Sequence, residues 1–335
     1  MKQRRGFALL AAVWFVVAIT TVALQFALVA RERRTLGLIS SDRGRQRAVA
    51  AGALALMQAQ MDYDLRNNGT ASGRANLAGL QSSDPWLGAD SIYTGTYYLD
   101  TIPVMVVARD LGTMINVNTA SQGQLNTLFN FVLGDATQAN MLASAILDWR
   151  DQDDQRRPGG VEKDDYIQAN LLALPTNGPF RDVDDLINVF GMTWDDLVLL
   201  RPYLTTHGPS GNGASRVNIN SAPEPVLRSL PGMTDAILTQ IFALRSQGRR
   251  IQSMAQVMAG TPQGRQQQQA AGGRGGGGAP VNPTQEALTA ATTVDTQNVE
   301  LTVYVQSPAN DQPTRLVALI SRTNNQAQIS WQLWQ

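Results

Sequence analysis

The chain has 335 residues, 27 Lys+Arg against 27 Asp+Glu, a single His (His207) and no Cys. A formal charge of zero gives no general pull toward nucleic acid or an anionic membrane. The lack of Cys excludes a disulfide framework, a thiol nucleophile and Cys-ligated zinc or iron–sulfur centres, and a lone His removes most imidazole metal sites. Little material for catalysis is left, and no catalytic residue is assigned.

Met1 to Gly6 is a short basic leader, and Phe7 to Ala30 is apolar without a single charge. As a helix rising about 1.5 Å per residue this segment spans roughly 35 Å, enough for a hydrocarbon core of about 30 Å. Apolarity gives way directly to Arg31-Glu-Arg-Arg34, with no small-residue cleavage site before a polar start, so retention as an anchor fits better than removal. Lys2, Arg4 and Arg5 balance Arg31, Arg33 and Arg34, so charge counting does not decide the orientation.

From Thr35 to about Arg66 the composition stays helical and free of Pro, with Leu54, Met57 and Met61 on one face. One helix over 7–66 is the simplest reading, with Gly37 and Gly44 as candidate breaks. Residues 92–109 are β-branched and aromatic and predict two strands. Segments 299–305, 315–322 and 328–334 alternate and predict three more in a half-covered antiparallel sheet. The expected fold class is α+β, a sheet interrupted by a large helical insertion over 112–260. A body of 67–111 and 284–335 carries the sheet, and Gln/Gly-rich 261–283 is a disordered loop.

The insertion carries an internal echo. Ile115-Asn-Val-Asn-Thr-Ala120 returns as Val217-Asn-Ile-Asn-Ser-Ala222, each ahead of helical sequence, which predicts a degenerate pair of SAM or helix-hairpin-helix-like modules. In the second copy Pro231-Gly-Met-Thr234 suggests a phosphate-binding hairpin that Arg245, Arg249 and Arg250 could extend. The neutral charge and Thr234 in place of a second Gly favour a packing module without nucleic acid. His207 follows a helix and is expected near its carbonyls; Trp14, Trp149 and Trp194 are expected in membrane or core packing.

The densest polar cluster runs from Asp148 to Tyr166 and holds Asp148, Asp151, Asp153, Asp154, Glu162, Asp164 and Asp165 around Pro158-Gly-Gly160. Such a loop suits a hard, oxygen-seeking cation, calcium rather than zinc. Asp151, Asp153 and Glu162 fall at the first, third and twelfth positions of an EF-hand-like loop, but Arg156 replaces its central Gly. A solvated acidic loop balanced by Arg150, Arg156 and Arg157 is the other reading of the residues. A glycosidase-like carboxylate pair is a third.

The basic leader with its Gly6-Phe7 junction resembles the class III leader of type IV pilins and type II secretion pseudopilins. With Ala11 in place of the usual Glu, DWRDQDD…GGVEKDDY, FRDVDDLINV…LLRPYL and VNINSAPEPVLRSLPGM, nearly the whole chain resembles the GspK family of large minor pseudopilins. That resemblance implies a prepilin leader over 1–6, with cleavage by prepilin peptidase between Gly6 and Phe7 and methylation of Phe7. It implies a single pass through the bacterial inner membrane over 7–30, the N-terminus cytoplasmic and the C-terminal domain periplasmic. It also implies calcium at Asp151, Asp153, Glu162, Asp164 and Asp165, with Lys163 where a further acid is common. The implied role is non-enzymatic: to cap the pseudopilus tip with I- and J-type minor pseudopilins for protein export. H-type and major pseudopilins and exported proteins are its further expected contacts. The rival readings are a membrane-anchored DNA-handling protein of competence type and an anchored periplasmic hydrolase.

Overall fold

The computed structural model describes residues 4–68, 92–99, 102–207, 210–211, 214–262, 264, 283–307, 310–323 and 326–335. The first element, α1 (Arg4–Asn68), is one unbroken helix of 65 residues, and neither Gly37 nor Gly44 interrupts it. Two of the polar residues in its apolar stretch bond within the helix: the hydroxyls of Thr20 and Thr21 donate to the carbonyls of Val16 and Val17 at 2.7–2.9 Å. It is the one helix among the described residues long and apolar enough to cross a membrane, and its apolar window has no buried residues.

The second half of α1 behaves differently. Ala50, Ala53, Leu54, Met57 and Met61 are buried against the sheet, on the face that the i, i+3, i+7 spacing predicts. Polar contacts fix the register. Gln58 Nε2 donates to the Ala327 carbonyl at 2.8 Å, and Asp62 accepts from the Ala327 amide at 2.5 Å.

β1 (Ile92–Leu99) and β2 (Ile102–Asp110) form an antiparallel pair, with Leu99 opposite Ile102. After the insertion the chain returns as β7 (Asn298–Ser307), β8 (Asn310–Thr323) and β9 (Gln326–Trp334). The sheet order is β1-β2-β7-β8-β9, every neighbour antiparallel. Val104, Val106 and Ala108 alternate inward, as do Leu301, Val303 and Val305, and Leu316, Ala318 and Ile320, so one face is covered by α1.

The insertion has its own core. It contains β3 (Ile115–Asn116), α2 (Gln122–Leu133), α3 (Ala136–Arg150), α4 (Lys163–Gln168), α5 (Trp194–Leu200) and β4 (Leu204–Thr205). There follow β5 (Val217–Asn218), α6 (Glu224–Arg228), α7 (Asp235–Ser246), α8 (Met254–Gly260), α9 (Pro283–Ala290) and β6 (Thr292–Thr293). Leu288 and Ala291 pack in this helical core, and β6 pairs in parallel with β5. The helical region therefore extends to about residue 295, past the return to the sheet that the sequence placed at 284. Of the expected Gln/Gly loop, 263 and 265–282 lie outside the described residues.

Entry and exit of the insertion meet at Asp110. Its buried carboxylate accepts from the Gly112 amide (2.8 Å), Asn218 Nδ2 (2.8 Å), Thr296 Oγ1 (2.9 Å) and Ser221 Oγ (3.2 Å). Burial pushes this carboxyl up from its ordinary range, and the four donors oppose that shift. Replacing it, Asp110→Ala, leaves those donors without an acceptor in a buried site. The expected cost is about 3 kcal/mol, read by urea denaturation of the detergent-solubilised full chain through tryptophan fluorescence.

Candidate functional site

The echo in the sequence is a repeat in three dimensions. In the first copy Asn116 Oδ1 accepts from the Asn118 amide, and in the second Asn218 Oδ1 accepts from the Asn220 amide. Asn118 bonds both the amide and the carbonyl of Phe180 (2.8 and 3.0 Å), and Asn220 does the same to Ile251 (2.8 and 3.0 Å). The Val117 amide reaches the Thr205 carbonyl, and the Ile219 amide reaches that of Thr293, each at 2.9 Å.

Each copy is closed by an arginine at the end of its second helix. Arg150 donates to the carbonyls of Val117 and Ala120, and Arg245 to those of Ile219 and Ala222. Burial pulls both guanidinium groups down to about 10, which still leaves them charged at neutral pH. Arg250 is paired with Asp295 at 2.7 Å. Two of the three arginines that could have extended a phosphate-binding hairpin are thus committed inside the module. Thr234 Oγ1 caps α7 through the Ile237 amide (3.4 Å). His207 does not meet helix carbonyls. Its Nδ1 lies 3.0 Å from Thr206 Oγ1, and its ring stands edge-on to Trp331. Trp149 is in the core, but Trp194 is 64% exposed and is not a packing residue within this chain.

The copies differ most where the acidic loop sits. Between Arg150 and Phe180 the first copy has 29 residues (151–179), where the second has five (246–250) between Arg245 and Ile251. Aromatic stacking ties the loop to the module. Trp149 lies flat on Phe180 (5.9 Å) and edge-on to Tyr166 (5.7 Å), whose hydroxyl accepts from the Phe190 amide at 2.9 Å.

The turn at Pro158-Gly-Gly160 folds the loop back on α3. Gly159 adopts φ 78°, and Gly160 approaches so closely that a Cβ there would lie 1.9 Å from Asp148 Oδ2. This contact seals Asp148 from solvent. Asp148 Oδ1, Asp151 Oδ1 and both carboxylate oxygens of Glu162 are buried without a hydrogen-bond partner. Such orphaned acceptors are costly unless a cation serves them.

Of the residues expected to hold calcium, Asp151 and Glu162 belong to this cluster. Asp153 is on the exposed rim and caps the Gln155 amide at 2.8 Å. Asp164 points outward from the exposed side of α4. Asp165 is committed: it accepts from the Glu162 amide (2.9 Å) and lies 3.3 Å from Arg156. Asp148, which was not among the expected residues, also belongs to this cluster, and its place one helical turn before Asp151 was a usable signal. Among the described residues no group of three or more His, Asp or Glu side chains is arranged to hold a metal ion as it stands. The donor chemistry, buried carboxylate oxygens in excess of donors, nonetheless fits a hard cation. Gly6 and Phe7 are in α1, with side chains outside the described residues.

A pilin-like arrangement is what this architecture defines: a long helix, its apolar end bare and its other half on an antiparallel sheet, with a helical insertion. Residues 73–208 match the family model for type II secretion system protein K. Type II secretion system protein K of Pectobacterium carotovorum subsp. carotovorum is 26% identical over 270 residues, covering 75% of this chain and 77% of that protein. A chain in the crystal structure of the GspK-GspI-GspJ complex from the enterotoxigenic Escherichia coli type 2 secretion system shares the fold. The TM-score is 0.58 at 18% identity, over 88% of this chain and 99% of that one. The chain is thus similar in sequence to type II secretion system protein K and similar in fold to a chain of the GspK-GspI-GspJ complex.

Burial and the charges of Asp148, Asp151, Asp154 and Asp153 push Glu162 up from 4.5 to about 7. Without metal the folded state therefore keeps a proton that the unfolded chain loses near 4.5. Stability from this group falls as pH rises from about 4.5 to about 7 and levels off above. Thermal unfolding of the full chain in chelator is expected to show that fall. Glu162→Gln should remove this part of the slope and raise the midpoint at pH 8.

Proposed function

We propose that this chain caps the tip of the type II secretion pseudopilus and starts its assembly together with I- and J-type minor pseudopilins. The observation that carries this reading is that family likeness and fold likeness coincide. Protein K matches in sequence over three quarters of the chain, and a chain of a GspK-GspI-GspJ complex matches in fold over most of it.

The physical features agree with a terminal subunit. Two helical modules are joined to the sheet through Asp110, and they are bulk that a stacked subunit would have to avoid. Ala11 stands where repeating subunits carry a carboxylate, so the membrane-embedded pairing that extends a filament has no acid to use. The work is mechanical: packing of apolar stems in the bilayer and of sheet and helix faces outside it. H-type and major pseudopilins and the exported proteins are further contacts under this reading, and nucleic acid is none.

In the same reading prepilin peptidase cuts between Gly6 and Phe7 and the new Phe7 amine is methylated. The N-terminus then faces the cytoplasm, the apolar part of α1 spans the inner membrane, and the sheet and modules are periplasmic.

Calcium belongs to this reading as well. Asp151, Glu162 and the newly found Asp148 would hold it, with Asp153 at the rim, Asp165 fixing the backbone of Glu162, and Asp164 on the outer side. The ion would supply positive charge to Glu162, whose two buried oxygens have no partner, and to the Asp148–Asp151 pair beside it. Glu162 and Asp165 present the far arm of the loop, and Asp148 and Asp151 the near arm.

Intact mass of the membrane-extracted protein, produced with and without the peptidase, tests the pathway. A chain beginning at N-methylated Phe7 only when peptidase is present, and co-purifying with I- and J-type subunits, is expected. A chain that keeps Met1 in both, or purifies without those subunits, would defeat the proposal.

A further inference from the structure

Arg157 stands among the carboxylates that the cation would serve. Its Nη2 lies 2.8 Å and its Nε 3.2 Å from Asp151 Oδ2, and Nε is also 3.2 Å from Asp148 Oδ1. Its own amide reaches Asp148 Oδ2 at 3.4 Å. The other two arginines of the region are engaged elsewhere. Arg150 closes the module on the carbonyls of Val117 and Ala120. Arg156 donates to the Gly160 carbonyl at 2.8 Å and faces Asp165. Asp148 has no exposed side-chain surface, so its charge is met from inside the protein, by Arg157.

The guanidinium and a divalent ion cannot both occupy the Asp148–Asp151 pair. At about 3–4 Å two like charges repel strongly even with generous screening. The Arg157 side chain is 42% exposed and lines an open cleft of about 370 Å³ with Asn118, Leu147, Arg150, Asp151 and Pro179. It can therefore leave the carboxylates without repacking the core. Among the described residues no three carboxylates converge as they stand, although Asp151 Oδ1 and both Glu162 oxygens are buried without a partner.

We propose that Arg157 is a built-in counter-cation, which clamps Asp148 to Asp151 when the metal is absent and yields its place when calcium binds. Calcium affinity is then set by competition: the ion must displace an internal charge before it gains the loop. The inference rests on the calcium reading above, but adds to it a residue that opposes the ion.

Calorimetric titration of calcium into the chelator-stripped full chain in detergent tests it, with Arg157→Gln and, as a neighbouring control, Arg156→Gln. Arg157→Gln is expected to bind about tenfold more tightly, the scale of one lost charge-assisted hydrogen-bonded contact. Its unfolding midpoint in chelator should fall, and Arg156→Gln should stay within about twofold of the parent affinity. If the parent binds calcium and Arg157→Gln binds equally or more weakly, Arg157 does not compete and the calcium reading survives alone. If both variants gain affinity equally, general charge explains the effect and the clamp is refuted. If neither parent nor variants bind, both readings fall. Should Arg157→Gln fail to fold, Arg157→Lys decides. It keeps the charge but loses the two-pronged grip, so it should bind calcium several-fold more tightly than the parent, and equal or weaker binding overturns the proposal.

Discussion

The head of this protein is organised around one buried carboxylate. An insertion into an antiparallel sheet must leave and re-enter at neighbouring strands, and here Asp110 lies opposite Val299 at that junction. Its oxygens gather a donor from the departing turn, two from the second module and one from the segment that leads back to the sheet. Asn218 serves twice, giving its amide nitrogen to Asp110 and its oxygen to the Asn220 amide. The module's internal order is thereby tied to the sheet's, and each fixes the position of the other.

The parts of this fold that were legible in the sequence are those governed by periodicity or by a repeated polar pattern. Strand alternation marked the inward faces of β2, β7 and β8, which pack on α1, but not that of β9, where Ile329 and Leu333 are exposed and Ala327 is the buried residue. The Asn-x-Asn echo was visible because both copies need the same side-chain oxygens and amides to close. What escaped depends on contacts distant in sequence. Asp148 reads as one acid among seven until Gly160, twelve residues later, is seen to seal it. Arg245 reads as surface charge until its guanidinium is found on two carbonyls, since composition does not say where an arginine ends. The return to the sheet was set too early because α9 and β6 are short and their parallel partner is some 75 residues upstream.

The two modules also show what the clamp permits. The points that bracket the variable loop are fixed in the same way in both copies: an arginine on motif carbonyls at one end, and an asparagine with two bonds to Phe180 or Ile251 at the other. With both ends so held, lengthening the intervening chain costs little closure entropy, roughly 0.6 kcal/mol per doubling. Carboxylates could gather there because the loop is anchored by a few apolar residues, Val161 and Tyr166, and leaves its other positions free. The charge they bring is met locally, by Arg156 and Arg157.

The continuity of α1 bears on how load passes through the molecule. Sixty-five residues in one helix reach roughly 100 Å at about 1.5 Å per residue. The lower part has no contact with the sheet, and the upper part is bound to it by five apolar side chains and several polar ties. A rod without a break transmits thrust along its axis with little loss, so raising the apolar end by one residue's rise lifts the head by about the same 1.5 Å. The sheet bound to its upper half then moves with the helix, and the distance between sheet and apolar end is fixed by the length of α1 between them.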